Sequence, residues 1–314
     1  MRRTLQLCLS SLAAGLVLLA TSAPSDAHPA SGKTTYLRVK PAHAAQGTHR
    51  TSTLLYSHGG AIEQVAKVYI VYWGPQWSTG FSTNGYSSAQ AQTYVHDFFA
   101  GVGGSSWANS TTQYCQGVAS GTTQCGTAGV HPSNPVNELA GTWNDTSSVP
   151  SSPTQGEIAS EAAALASHFG GVSTNADYMV FTPSGSSQNG FGTNWCAYHS
   201  SSGSLSYSYV PYQPDAGASC GMNFVNGLNN SYGNGYFDGF SIVGGHEYAE
   251  TITDPYPSSG WLDSRGSENG DKCAWIGSGQ GAASNVSLGG HTFAVQSLWS
   301  NAFNRGGGGC VLSY

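Results

Sequence analysis

The fold expected for this chain depends most on one stretch, Gly245-His246-Glu247-Tyr248-Ala249-Glu250-Thr251-Ile252-Thr253-Asp254. Residues four apart on a helix share a face, so His246 and Glu250 point the same way and Glu247 lies beside them. Zinc-hydrolase helices with the sequence His-Glu-x-x-His place two ligands in this manner. Here a glutamate replaces the second histidine, and its carboxylate can also bind zinc. The stretch predicts a helix near 239–253 that carries two metal ligands, His246 and Glu250, and a general base, Glu247.

Two acidic residues downstream complete this pattern. Glu268 lies 18 residues after Glu250, and Asp271 follows three residues later. The spacing resembles that of the gluzincin peptidases, in which a glutamate roughly twenty residues past the helix is the third ligand. By this resemblance Glu268 is the third metal ligand, and Asp271 orients a ligand without touching the ion. The alternative is a buried helix whose histidine and glutamate side chains hydrogen-bond each other.

Zinc is the cofactor that this motif predicts. Two carboxylates in the ligand set shift the preference toward metals that bind oxygen, so calcium or manganese is also compatible. His199, which follows Cys196 in an aromatic stretch, is a further candidate. It is either a catalytic group, acting as a fourth ligand or a transition-state donor, or a structural loop residue.

The first residues predict export. Residues 1–27 have the features of a signal peptide: Arg2 and Arg3, an apolar run over 5–20, and small residues before position 28. Removing them leaves 8 basic and 15 acidic residues, and charged residues are only 8% of the chain. This balance excludes a nucleic-acid surface, because phosphate binding requires clustered Lys and Arg. No later segment is apolar enough to span a bilayer. We therefore expect a secreted, extracellular monomer with neither nucleic acid nor membrane as a partner.

The cysteines agree with an oxidising compartment. Six remain after the signal peptide, and six cysteines allow 15 pairings. We predict disulfides between sequence neighbours rather than a zinc–thiolate site, since the chain has no Cys-x-x-Cys pair. The predicted disulfides are Cys115–Cys125, Cys196–Cys220 and Cys273–Cys310.

The rest of the chain divides into a leader and one domain. Residues 28–65 show no periodicity and predict a flexible leader or pro-segment, followed by a domain over 66–314. Buried strands are expected near 68–73 and 177–182, a third strand near 292–296, and helices near 88–101 and 154–168. Residues 184–237 predict an irregular insert with exposed aromatic side chains. Gly244 and Gly245 in the third helix suggest close approach of another backbone or of a substrate strand.

Several blocks resemble the phosphate-induced, exordium-like secreted proteins. These blocks are 68–74, the helix before Phe98-Phe99, 196–199, 238–250, 253–255, 268–273, and the final Trp299 to Cys310. They occur in the family's order and cover about residues 66–314. The resemblance implies an extracellular or cell-wall protein, and retention of the full acidic and histidine set favours a metal centre.

Together these features predict an α+β fold. We expect one zincin-like domain with a mixed sheet, a metal-binding active-site helix and long disulfide-stapled loops. The function expected is that of a secreted zinc-dependent hydrolase, an endopeptidase that uses metal-activated water on an extended peptide or protein. The alternative is a non-catalytic protein that binds cell-wall polymer or glycan through stacked aromatic residues and keeps a vestigial metal site.

Overall fold

The computed structural model describes residues 31–42, 45–47, 53–227 and 235–314 of the chain. The predicted signal peptide, 1–27, lies outside the described residues. Within them, no helix is both long and apolar enough to cross a bilayer. The described elements form a mixed α+β arrangement with a mixed sheet, as the sequence predicts.

Six strands form the central sheet. Their bounds are β1 (Ser31–Arg38), β2 (Lys67–Trp73), β3 (Leu139–Asp145), β4 (Ala176–Phe181), β5 (Trp195–Ser202) and β6 (Leu205–Val210). Across the sheet the order is β1-β5-β6-β4-β2-β3. The four strands from β6 to β3 are parallel, whereas β5 is antiparallel to both β6 and β1. The interior strands are almost completely buried because both faces of the sheet are covered.

Three long helices cover the sheet. They are α1 (Ser88–Val102), α2 (Gln155–His168) and α3 (Asp238–Thr253). Capping boxes begin the first two, at Ser87 with Gln90 and at Thr154 with Glu157. Apolar residues of α2 pack on one face of the sheet, and those of α1 and α3 form the core on the other. The helix that bears the motif is therefore a central element of the larger core.

Shorter elements complete the domain. A hairpin pairs β7 (Ser284–Leu288) with β8 (His291–Val295), and a second pairs β9 (Leu298–Ser300) with β10 (Gly309–Val311). Two-stranded ladders join Ser82–Thr83 to Tyr86–Ser87, Tyr56–Ser57 to Trp261–Leu262, and Ala45–Gly47 to Ile276–Gly279. Short helical segments occur at Gln76–Thr79, Ala108–Gln113, Gln213–Cys220, Gly235–Phe237, Asp271–Cys273 and Phe303–Gly306.

The predicted disulfides are confirmed. The structure joins Cys115 to Cys125, Cys196 to Cys220, and Cys273 to Cys310. The Cys196–Cys220 bond ties the beginning of β5 to the end of the helical segment Gln213–Cys220. The Cys273–Cys310 bond anchors the segment that holds Glu268 and Asp271 to the C-terminal hairpin.

The predicted leader contains regular structure. Within 28–65, β1 forms an edge strand that pairs antiparallel with β5. Leu55 and Ile62 are buried in a cluster with Trp261 and Trp299. The flexible interpretation is thus wrong for these described residues, and the domain extends before position 66. Strand β1 forms because its backbone hydrogen-bonds to the edge of the sheet. The weak hydrophobic periodicity of the segment does not reveal such a strand. Removal of the segment as a pro-segment stays a prediction.

The expected irregular insert at 184–237 is also corrected. Two sheet strands, β5 and β6, lie inside it, and every one of their residues is buried. The aromatic side chains expected at the surface form core contacts instead, among them Trp195, Tyr198, Tyr207 and Tyr209. The serines that alternate with these aromatics hide the strands in the sequence. These rings pack in the hydrophobic core and are not available to stack on a ligand.

Helix α3 is buried along its whole length. Aromatic side chains of other elements approach its two glycines, and this explains their place in a helix interior. A Cβ at Gly245 would lie 3.0 Å from both Phe98 and Trp107, and one at Gly244 would lie 3.3 Å from Phe99. The close neighbours are side chains, not the backbone or substrate strand that we expected.

Candidate metal centre

Two elements bring the candidate residues together. His246, Glu247 and Glu250 lie on α3, which packs against β5 and β6. His199 is in the middle of β5, opposite Ser208 of β6, and its ring faces the helix. Strand pairing fixes the position of His199, and helical geometry places Glu247 and Glu250 next to the same ring nitrogen, Nδ1. Each of these four side chains is 0% exposed.

The loop after α3 supplies the remaining acids. Asn269 holds this loop to the helix, since its side-chain amide donates to the carbonyl of Ala249 at 2.9 Å. The backbone N–H of Asp271 donates to Oε1 of Glu250 at 2.9 Å. Glu268 is completely buried, whereas the side chain of Asp271 is 24% exposed. The loop therefore covers the carboxylate of Glu250 and leaves Asp271 at its outer side.

His199, Glu250 and Glu268 form the first potential metal site. One ligand atom from each lies within 4.8 Å of the others. Nδ1 of His199 is 3.4 Å from Oε2 of Glu250, and Nε2 is 3.5 Å from Oε1 of Glu268. None of these four atoms has a hydrogen-bond partner, although all are buried. Buried polar atoms without partners cost free energy, and a cation bound between these atoms would offset that cost.

His246, Glu250 and Asp271 form a second such group. Nε2 of His246 lies 3.0 Å from Oε1 of Glu250 and 3.8 Å from Oδ1 of Asp271. Its other ring nitrogen, Nδ1, lies 3.2 Å from Oε1 of Gln296, which fixes the ring. Nε2 itself is buried and lacks hydrogen-bond geometry to either neighbour. Glu250 thus belongs to both groups, with a different carboxylate oxygen facing each.

The charges of the two histidines dominate the environment of Glu250. Burial alone would raise the pKa of this carboxyl, but His246 and His199 lower it to about 2. Burial lowers the pKa of His199, and the carboxylates of Glu268, Glu247 and Glu250 outweigh this and raise it well above its usual range. Glu250 is therefore ionised at neutral pH while the two histidines carry protons, which a bound metal ion would displace.

The other carboxyls lack enough positive charge around them. Burial raises the pKa of Glu268 well above its usual range, against the opposing effect of His199. Burial likewise raises the pKa of Glu247, and it raises that of Asp271 to about 7. Buried carboxylates in such number require protons or a cation for neutralisation. A divalent cation between them would supply that charge.

The structure changes the grouping of the predicted ligands. The sequence placed His246, Glu250 and Glu268 around one ion and left His199 as a fourth ligand, a transition-state donor or a structural loop residue. The geometry instead groups Glu268 and Glu250 with His199, while His246 faces Asp271. Asp271 does lie next to a predicted ligand histidine, as expected for an orienting carboxylate. His199 is no loop residue, because it lies within β5.

Other residues around the site were not identified from the sequence. The side-chain oxygen of Gln296 accepts from Nδ1 of His246 at 3.2 Å, and its amide nitrogen donates to the carbonyl of Gly270 at 2.8 Å. Gly270 has a packing role, since a Cβ there would lie 2.7 Å from Nδ1 of His246. Asp177 is buried on the same side of the sheet and accepts from Ser208 at 2.8 Å. A lone glutamine or glycine in a loop, or an acid within an apolar strand, is a weak sequence signal. It does not indicate a functional site until the fold is known.

The comparisons with known proteins leave the site to be interpreted from its own geometry. Searches against protein-family models, curated proteins and solved structures found no match to this chain. Membership of the exordium-like proteins and a zincin-like fold are therefore still predictions. What the structure itself gives is a mixed α+β fold, three disulfides and two histidine–carboxylate groups that share Glu250.

Proposed function

We propose that this protein is a secreted metal-dependent hydrolase whose ion is held by His199, Glu250 and Glu268. The observation that carries the proposal is the convergence of their buried polar atoms, none of which has a hydrogen-bond partner. Three disulfides fit an oxidising compartment, which supports the secreted location.

The donor set fits a zinc ion. Ligand atoms around tetrahedral zinc, with bonds of about 2.0–2.1 Å, lie roughly 3.3 Å apart. Nε2 of His199 lies 3.5 Å from Oε1 of Glu268, close to this value, whereas the 3.4 Å separation to Oε2 of Glu250 is measured from the other ring nitrogen, Nδ1. A histidine ligand usually has a carboxylate next to its second ring nitrogen, and Oε2 of Glu247 lies 3.5 Å from Nδ1 of His199. The oxygen-rich set also accommodates manganese.

Glu247 is the residue placed to move a proton. Its Oε2 lies 3.5 Å from Nδ1 of His199, and neither carboxylate oxygen has a hydrogen-bond partner. A divalent ion, when bound, polarises a carbonyl group and lowers the pKa of water. Glu247 would accept the proton of the attacking water and then return it to the leaving group. Burial raises the pKa of Glu247, which favours its taking a proton from water.

The burial of the site sets a condition on substrate entry. His199, Glu247, Glu250 and Glu268 are all enclosed, so a carbonyl reaches them only after part of the covering loop moves. Asp271 lies on the side of the site nearest to solvent, because its side chain is partly exposed. The preference for a peptide substrate rests on the His246-Glu247-x-x-Glu250 sequence alone.

The alternative, a glycan-binding protein, loses its main support. Aromatic stacking requires exposed rings, but seven of the eight tryptophans are buried and Trp143 is half-buried. The tyrosines and tryptophan of β5 and β6 pack in the core. We therefore retain the metal-dependent hydrolase as the single proposal.

The test combines metal analysis with one conservative variant. The disulfide-bonded chain, loaded with Zn²⁺ and dialysed, should retain at least one ion per chain. Glu247→Gln should keep the metal and lose roughly 10²–10⁴-fold in casein hydrolysis, the usual contribution of a general base. Glu161→Gln is the matched control, because Glu161 is a buried glutamate on α2 and lies outside both groups. Absence of a stoichiometric ion, or equal activity in Glu247→Gln and wild type, would refute the proposal.

A further inference from the structure

We infer that the site binds two divalent cations bridged by Glu250. This deepens the proposed function, which requires only one ion. The second position is formed by His246, Glu250 and Asp271. Glu250 presents Oε2 to His199 in the first group and Oε1 to His246 in the second. One carboxylate therefore has an oxygen in each group, the arrangement of a bridging ligand.

The unpartnered nitrogen of His246 points to a ligand. Nε2 is fully buried and lies 3.0 Å from Oε1 of Glu250, yet the two atoms lack hydrogen-bond geometry. Nδ1 is already next to the side-chain oxygen of Gln296. With Nδ1 held in this way, the second nitrogen is directed at the space between Glu250 and Asp271. A histidine ligand fixed through its other nitrogen is the usual arrangement in metal sites.

The surrounding loop is shaped around this position. Gly270 brings its backbone against the ring of His246 and the carboxylate of Glu250, because a Cβ there would lie 2.7 Å from Nδ1 and 3.0 Å from Oε1. Oδ2 of Asp271 accepts from the N–H of Glu268, which leaves Oδ1 directed toward His246. The loop thus offers one carboxylate oxygen to the second position.

The two positions differ in access. The first is enclosed, since His199 and Glu268 are completely buried, whereas Asp271 of the second is partly exposed. The second position is therefore the one nearer to solvent. Two-metal hydrolases hold their ions about 3.5–4 Å apart and share the attacking water and the leaving group between them. Each position here has one histidine and two carboxylates, a set that suits Zn²⁺ or Mn²⁺.

Stoichiometry is the test. Zn²⁺-loaded wild type should hold two ions per chain, Asp271→Asn should hold one, and His199→Gln should hold one. Glu250→Gln should weaken both positions. Glu161→Gln, a control outside the site, should hold two. One ion in wild type, unchanged by Asp271→Asn but lost in His199→Gln, would overturn the bridged pair and leave the proposed hydrolase standing. No ion in wild type would overturn both.

A measurement on the wild-type protein tests the inference even where a variant fails to fold. Two Mn²⁺ ions joined by one carboxylate are magnetically coupled, so electron paramagnetic resonance of the Mn²⁺-loaded chain should show an exchange-coupled spectrum. At half loading, His199→Gln and Asp271→Asn should each give only the six-line signal of an isolated ion. An isolated-ion spectrum from fully loaded wild type would contradict the inference.

Discussion

Replacing Gly270 by alanine should disturb the site through a single methyl group. Gly270 has right-handed helical backbone angles, φ −77° and ψ −46°, so alanine fits the backbone. The added Cβ would nevertheless lie 2.7 Å from Nδ1 of His246 and 3.0 Å from Oε1 of Glu250. Neither atom can retreat freely. Gln296 holds the ring of His246, and the N–H of Asp271 holds the carboxylate of Glu250.

The magnitude follows from two opposing effects. Overpacking of a close-packed interior costs about 1–3 kcal/mol. Alanine restricts the unfolded chain relative to glycine and returns about 0.4–1 kcal/mol. We therefore expect Gly270→Ala to lower the free energy of unfolding by about 1–2 kcal/mol in the presence of chelator. The metal-loaded protein should lose more, because the same methyl group displaces two ligands.

Urea unfolding of the disulfide-bonded chain, followed by tryptophan fluorescence, measures both values. Gly227→Ala is the matched control, since its Cβ would meet nothing within 4 Å and the residue is exposed. It should change stability by less than about 0.5 kcal/mol. A Gly270→Ala protein as stable as wild type, with unchanged metal affinity, would refute the described packing of the loop on His246.

Three further predictions concern the fold. Gly245→Ala should destabilise the protein more than Gly244→Ala in thermal unfolding, because its Cβ meets neighbours at 3.0 rather than 3.3 Å; equal losses would contradict this. Gly156→Ala, near the beginning of α2 with open space around it, should stabilise by up to about 1 kcal/mol in urea titration, and a loss would count against the helix start. Burial, with the carboxylate of Asp145, raises the pKa of Glu161 to about 8. The folded state thus keeps a proton that the unfolded state releases from about pH 4.5 upward, so wild type should lose stability from pH 5 to 8 while Glu161→Gln loses less; parallel curves would refute this.

Local signals made the helices predictable. Ser87 and Thr154 begin α1 and α2 with capping boxes, and both helices lie within a few residues of their predicted bounds. The strand at 67–73 was equally clear from its unbroken apolar run. These signals depend only on neighbouring residues, so a sequence reports them directly. The same holds for the disulfides, whose partners are the nearest cysteines along the chain.

Long-range pairing was not predictable from the sequence. Strand β5 ends in the serines 200–202, which are typical of loops, and it becomes a strand because β1 and β6 bind its two edges. The role of His199 depends on that pairing, since β5 carries the ring to Glu250 of α3. The sequence identified all members of the two metal groups as candidates. It placed Glu268 with His246, whereas the structure brings Glu268 next to His199, because helix spacing says nothing about which strand lies opposite.

Anomalous diffraction from crystals of the Zn²⁺-loaded protein, recorded at the zinc absorption edge, tests the central claim most directly. The account predicts a peak about 2.0–2.1 Å from one ring nitrogen of His199 and from carboxylate oxygens of Glu250 and Glu268. The second, bridged ion should give its own peak beside His246 and Asp271. A zinc-loaded crystal without a peak at His199, or with zinc bound by His246, Glu250 and Glu268 as the sequence alone suggested, would contradict it.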